Sequence, residues 1–330
     1  MDFRTEISVK PSSFKIGLKD SILTIGSCFT ESIGKKFDEH AFQMSINPFG
    51  TTYHPLSIHR LINYAIDVEY PPEHTYLVNN GVQLNYNFNS NLRSVNSADL
   101  KKEIKESIES CHDFIKQCQV IMITYGTAWL FERTDTGEGV ANCHKMPASH
   151  FTRRLTPAEE IVSSFKEMHR SMLSINPDIR IILTVSPVRH TKDTFPLNSV
   201  SKAVLRVACH QLANEVKNVE YFPAFEIMMD DLRDYRFYGP DMIHPNEVAE
   251  DYIWKIFKAS FIEEKDVQLM DQWSEMIRRI NHRAFNPLTK EHIAFLNATL
   301  SKLNELSESF PTKKYIKDIQ IQLQDIKKHK

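Results

Sequence analysis

Two short stretches carry side chains whose types and spacing suit chemistry. One is Asp241-Met242-Ile243-His244-Pro245. A histidine three residues after an aspartate can fold back on a loop so that the carboxylate holds one ring nitrogen. The other nitrogen is then free to take a proton from a nucleophile. The second stretch is Gly26-Ser27-Cys28-Phe29, at the end of an apolar run. Where a strand turns sharply into a helix, the residue at the turn is exposed and the first helical N–H groups lack partners. A hydroxyl or thiol placed there suits nucleophilic attack, and the free amides suit the negative charge that follows. The positive end of a helix also stabilises a thiolate, which predicts a thiol pKa below the unperturbed ~8.5. Each stretch has a plainer reading, a capping serine beside a buried cysteine and a capping loop with a surface histidine.

Position decides between these readings, so the elements around the stretches matter. Short apolar strands are predicted at 22–26, Gln43–Ile46, 120–124, Arg180–Val185 and 219–222. Between them run amphipathic helices. Phe29, Ile33, Phe37 and Ala41 fall every fourth residue, and Leu100, Ile104, Ile108, Cys111, Ile115 and Cys118 mark a longer stripe with Ser97 as its predicted cap. Thr156-Pro157-Ala158-Glu159 reads as a capped helix start, and Asn246 as the cap of a last helix through Ile253, Ile256 and Phe257. Residues 68–96 are irregular and hold a hairpin at most, while 134–139 reads as a hairpin turn. Five strands alternating with helices predict an α/β, doubly wound, mostly parallel sheet, in which ligands bind beyond the carboxyl ends of the strands. Both reactive stretches fall there.

From about residue 266 the rhythm changes. Met270, Trp273, Ile277 and Ile280, then Ile293, Leu296, Leu300 and Leu303, then Ile316, Ile319, Leu323 and Ile326 step by three and four, with Pro287 and Pro311 between the segments. The division expected is an α/β domain over 1–265 and a C-terminal helical extension over 266–330. The extension packs on the main domain or, alternatively, joins copies of the chain into a homo-oligomer.

Composition narrows the classes of function. Of 330 residues, 42% are hydrophobic and 25% charged, and the formal net charge is −2. That balance excludes the basic footprint of a nucleic-acid-binding protein; Lys327, Lys328 and Lys330 form only a solvated basic end. No apolar stretch approaches a membrane span, and residues 1–10 are polar, without the apolar run of a signal peptide. Five scattered cysteines suit reduced thiols, so a cytoplasmic location is expected. Cys28, Cys143, His144 and His190 have no short-range metal-ligand spacing, and neither a metal nor another cofactor is expected.

The set of motifs resembles the SGNH/GDSL hydrolases, with a nucleophile turn after strand one, a glycine-bearing loop after strand two and Asp-x-x-His-Pro near the end. Gly26-Ser27-Cys28-Phe29-Thr30 resembles the opening motif that names the GSCFA family. Asn47-Pro48-Phe49-Gly50-Thr51, Asn142-Cys143-His144-Lys145, Ser186-Pro187-Val188-Arg189-His190, Ser201-Lys202 and Tyr238-Gly239-Pro240-Asp241 are similar to that family too. The likeness covers roughly residues 1–260. It implies a flavodoxin-like SGNH sheet, His244 as general base, Asp241 as its orienter and Gly50 as an oxyanion N–H donor.

Two departures stand out. The register of Gly-Asp-Ser places Cys28 at the nucleophile, with Ser27 the alternative under a one-residue shift. The third block has Gly126-Thr127-Ala128 where the superfamily has Gly-x-Asn. Alanine donates nothing, and losing one oxyanion donor typically costs about 100- to 1000-fold in rate. Asn47, Asn142 and Thr127 are the candidate substitutes, Asn142 standing beside His144 and Lys145. Arg189 and His190 are candidates for an anionic part of a substrate. The reaction expected is acyl transfer from a small-molecule or glycan ester to water or an acceptor hydroxyl. The alternative is a non-catalytic ligand-binding module on the same scaffold, which Ala128 favours.

Overall fold

The computed structural model describes residues 5–328; Met1 and Lys330, at the polar ends noted above, lie outside the described residues. The chain runs β1 (Ser21–Gly26), α1 (Cys28–Glu39), β2 (Gln43–Ile46), α2 (Pro55–Asp67), the hairpin β3 (Tyr76–Asn79) and β4 (Val82–Asn85), then α3 (Ser97–Gln117) and β5 (Val120–Tyr125). An antiparallel insertion follows, β6 (Trp129–Arg133), β7 (Gly139–Val140) and β8 (Phe151–Leu155). The main layer resumes with α4 (Ala158–Ile175), β9 (Arg180–Val185), α5 (Phe195–Glu215), β10 (Val219–Tyr221) and the short α6 (Ala224–Glu226). It closes with α7 (Glu247–Phe261), and α8 (Glu264–Ile280), α9 (Lys290–Glu305) and α10 (Lys313–Lys328) form the tail.

Five of the strands form one all-parallel sheet in the order β10-β9-β5-β1-β2. Counting only those strands, this is the flavodoxin-like doubly wound order, read from the other edge. Strand alternation feeds two cores. Leu23, Ile25, Ile121 and Ile123 point to the side of α2–α5, whereas Ile22, Val120 and Met122 point to the side of α1 and α7. All are essentially without solvent exposure; each such side chain contributes about 1.5–3 kcal/mol of burial free energy. Both faces being covered explains why the strands read as continuous apolar runs.

Helix ends depart from the sequence expectation at two places. Asn96, not Ser97, caps α3, its Oδ1 accepting the Ala98 N–H at 2.8 Å. Thr156 does not cap α4: its hydroxyl bonds the His54 ring at 3.0 Å, drawn away by a tertiary partner. Asn246 does cap α7, accepting the Ala249 N–H at 3.1 Å. Helices α8–α10 build a third core around Trp273, Leu303 and Phe310. The Trp273 indole donates to the Glu39 carbonyl at 3.0 Å and Ser274 bonds the His40 ring, tying the tail to the end of α1. No helix among the described residues is long and apolar enough to cross a membrane.

Candidate active site

The carboxyl edge of the sheet carries the site. Strand β1 ends at Gly26, whose φ of 139° is glycine territory; a Cβ there would lie 2.2 Å from the Thr124 carbonyl oxygen. This close approach makes the turn sharp. Ser27 is then the residue before α1, with its N–H donating to Thr124 O at 3.1 Å and its carbonyl accepting from Thr30 N–H at 2.8 Å. Its side chain is fully buried, and Oγ has no hydrogen-bond partner among the described residues. Cys28, one residue on, is half-buried and opens onto a cleft of about 590 Å³.

His244 lines the same cleft. Its loop is shaped locally: Gly239 N–H donates to His244 O at 2.8 Å, and Met242 adopts a φ of 58° to close the turn. Inside that turn Asp241 Oδ1 accepts the N–H groups of Ile243 and His244 at 2.9 and 3.0 Å. Asp241 Oδ2 lies 2.6 Å from His244 Nδ1. The bond to the His244 ring, then those two amides, holds the Asp241 carboxyl down to about 2. The carboxylate therefore stays charged and fixes the ring with Nε2 available for proton transfer.

Burial pushes the Cys28 thiol up rather than down, the reverse of what the helix end alone predicts. The Phe29 and Cys28 amides and the Lys202 ammonium oppose that rise, while Glu31 adds to it. Desolvation of the anion outweighs the helix terminus because the sulfur is largely enclosed.

The oxyanion expectations are revised. Gly50 does not aim its N–H at Cys28: it donates to Asn47 O at 2.7 Å, and Gly50 lies in a separate pocket with Glu31 and Asn47. Asn47 is not a free donor near the nucleophile either, since its Oδ1 accepts the Gly26 N–H at 2.9 Å and its Nδ2 faces Glu31. Besides His54, the residue of this loop that lines the cleft is Tyr53, which the sequence reading missed. Its ring packs edge-on against His190, with centroids 5.6 Å apart. Burial, with smaller contributions from Cys28 and Glu31, pushes its phenol up, so it remains a proton donor.

The third block is closed on itself. Gly126 and Thr127 donate their N–H groups to Tyr53 O, Ala128 donates to Ser201 Oγ at 2.7 Å, and Trp129 donates to Thr127 Oγ1 at 3.1 Å. Thr127 still lines the cleft, with its hydroxyl also 3.1 Å from Ser201 Oγ. Asn142 lines it as well, but one side-chain N–H goes to Ser90 Oγ at 3.1 Å and its Oδ1 accepts the His144 N–H. His144 is buried with both ring nitrogens engaged, by Asn85 O at 2.7 Å and Ser90 Oγ at 3.0 Å; it braces the loop. Cys143 borders the cleft beside them.

Arg189 and His190 line the opposite wall. The Arg189 guanidinium stacks between Phe195 and Tyr238, each with its ring centroid 4.9 Å away. Burial lowers the His190 ring to about 3, so it is neutral. An Arg153–Asp193 ion pair at 2.6 Å ties β8 to this wall, so the antiparallel insertion frames the cleft with Trp129 and Phe131. No group of three or more metal-ligating side chains gathers among the described residues.

The strand–turn–helix that opens Cys28 onto the same cleft as an Asp-held histidine sits on a parallel sheet of this order, an α/β fold of the SGNH type. The GSCFA family model matches residues 21–257, and a model described as the GSCFA domain protein C-terminal domain matches 273–325. The chain belongs to the GSCFA family. Among solved structures it is similar to an acetyl xylan esterase from the rumen bacterium Butyrivibrio proteoclasticus, at 12% identity and a TM-score of 0.38, covering 83% of this chain and 66% of that one. A carbohydrate esterase family 3 structure from Talaromyces cellulolyticus shows 10% identity and a TM-score of 0.34, covering 76% of this chain and 98% of that one. A search of curated protein sequences finds no match.

Proposed function

We propose that the protein transfers acyl groups from esters through a thioester on Cys28, with His244 as base and Asp241 as its orienter. The observation that carries this reading is the contrast at one turn: Cys28 shares a cleft with an Asp-fixed histidine while the Ser27 hydroxyl is sealed in the interior. His244 Nε2 takes the thiol proton as sulfur attacks the ester carbonyl. The tetrahedral oxyanion is received by the Cys28 and Phe29 amides at the start of α1. Collapse expels the alcohol, protonated by His244, and leaves the thioester. Water, or an acceptor hydroxyl, deprotonated by His244 then attacks, releasing the acyl group and restoring the thiol.

Because burial keeps the free thiol protonated, proton transfer to His244 accompanies attack instead of preceding it. The test is to quench the protein in acid during turnover of a short-chain aryl ester and map the adduct by mass spectrometry. The expected acyl mass is on Cys28. An adduct on Ser27, or turnover without any adduct in this turn, rejects the assignment. The internally bonded amides of 126–129 favour a second reading, a ligand-binding module without turnover. Absence of both turnover and adduct across a panel of esters decides for it.

A further inference from the structure

The half-buried arginines of this protein have acceptors, with one exception. Arg133, Arg154, Arg180, Arg206 and Arg279 pair with carboxylates, and Arg60 donates to Asn87 Oδ1 and Gly139 O. Among the described residues no carboxylate or carbonyl accepts from the Arg189 guanidinium, its Nε is without a partner, and burial keeps the Tyr238 phenol beside it uncharged. Arg189 lines the cleft that holds Cys28 and His244.

Its setting is fixed from the backbone outward. After β9, Ser186 N–H donates to Tyr125 O at 2.8 Å and Val188 N–H to Ser186 Oγ at 3.3 Å. Arg189 N–H donates to Ile243 O at 3.2 Å, and His190 N–H to Asn198 Oδ1 at 3.0 Å. The third of these bonds fastens Arg189 to the residue before His244. The guanidinium then stands among the rings of Phe195, Tyr235 and Tyr238, with centroids 4.9, 5.6 and 4.9 Å away. Rings against its faces leave its edge of N–H groups for an acceptor. Phe195 and Tyr235 are themselves exposed, so a solute can reach this corner. The carboxylates nearby are already taken, Asp193 by Arg153 and Asp241 by His244. Lys192, exposed on the same wall, has no ion pair among the described residues. The charge left over in the cleft is therefore positive, although the chain as a whole carries a formal −2 and repels anions at long range.

We propose that Arg189 anchors a carboxylate of the substrate, so that the ester taken by this cleft is an anionic one, with Lys192 adding attraction at the rim. The inference rests on the acyl-transfer reading above and adds the charge of the substrate to it. A guanidinium held by its faces presents two parallel N–H groups to a planar carboxylate. Because the Arg189 backbone is bonded to Ile243, that anchor keeps a set position relative to His244, and the ester carbonyl is placed with it.

The experiment compares kcat/KM within two pairs of esters, each rate divided by that of hydroxide hydrolysis of the same ester. One pair is para-acetoxybenzoate and para-acetoxybenzamide, which differ in charge on the alcohol half. The other is the para-nitrophenyl monoester of glutaric acid and para-nitrophenyl valerate, which differ on the acyl half. Expected is a preference of about tenfold or more for the charged member of one pair, carried mainly by KM and lost in Arg189→Gln. The ratio is read within each protein, so a general loss of activity in the variant cancels. No preference in either pair overturns the proposal, as does a preference that Arg189→Gln keeps, which marks an arginine that only packs. Should the variant not fold, salt decides on the wild type: the preference shrinks toward about 0.5 M ionic strength, and one indifferent to salt overturns the anchor. Failure of the acyl-transfer reading shows separately. No ester of either pair is then turned over, while titration calorimetry still finds para-hydroxybenzoate or glutarate bound by the wild type and not by Arg189→Gln. Absence of that binding as well overturns the anchor.

Discussion

The two halves of the candidate site are built in different ways. The Asp241–His244 half is a seven-residue affair in which backbone and side chain bond one another within a single exposed loop, the two side chains remaining about half accessible. The oxyanion half is assembled from α1, the 47–54 loop, the 126–129 block and α5, and most of its amides bond each other. A local constellation can keep its geometry while the rest of the fold drifts. A nonlocal one is rebuilt whenever any contributor changes, and here a glycine and an asparagine at the expected places have become structural supports. In the proposed reaction that leaves the amides at the start of α1 to receive the oxyanion.

If the local half is the acid–base machinery, its loss is the largest effect available. Cys28→Ala is expected to lower kcat/KM for an aryl ester by about 10³-fold or more, and His244→Ala by about 10²–10⁴-fold. Ser27→Ala should leave turnover within a few-fold of wild type, since its hydroxyl faces no part of the cleft. The reverse ranking of Cys28 and Ser27 breaks the register argument outright. Asp241→Asn comes next, at about ten- to a hundredfold, less than for a buried triad aspartate because water can reach the exposed His244 Nδ1.

What the sequence made legible follows the same division. The five parallel strands were readable because each is a buried apolar run punctuated by a helix, and Asp241 with His244 was readable because their partnership needs only a three-residue spacing. Gly50 was misread because its left-handed φ of 74° looks alike whether it frees an N–H or turns it inward to Asn47. Tyr53 could not be placed in the cleft from sequence, nor could Trp129 and Phe131, because the antiparallel insertion that carries the last two was legible only as a hairpin turn at 134–139. The helical steps of the tail were visible from their spacing alone. Its attachment through Trp273 to Glu39 was not, because nothing in the periodicity says which surface receives it.

Smaller effects sharpen the claim that Gly50 and Asn142 are supports. Gly50→Ala puts a Cβ 2.6 Å from the Asn89 Cβ at a positive φ, and it should cost about 1–3 kcal/mol of stability with kcat of the folded fraction little changed. Asn142→Ala should alter kcat by less than tenfold, because the side chain already serves Ser90 and His144. A fall of about a hundredfold or more, the cost of a lost oxyanion donor, returns Asn142 to the oxyanion site.

The smallest effect tests whether the exposed pair is a bond of the folded state at all. The Asp241 carboxyl is held down to about 2, below its ordinary value near 3.9. A depressed folded-state pKa means that the unfolded chain binds the proton first as the solution is acidified. The contribution of the pair to stability is thus fully present above about pH 4 and is lost as the pH falls through about 2. Because both side chains are exposed and screened, the gain is modest, so it is best read as a difference. Thermal melts of wild type and Asp241→Asn are expected to lie slightly apart at pH 5 to 7, with wild type higher, and to converge on acidification toward pH 2. A gap that stays constant across that range means that Asp241 is not bonded to His244 in the folded protein, and the acid–base half loses its orienter.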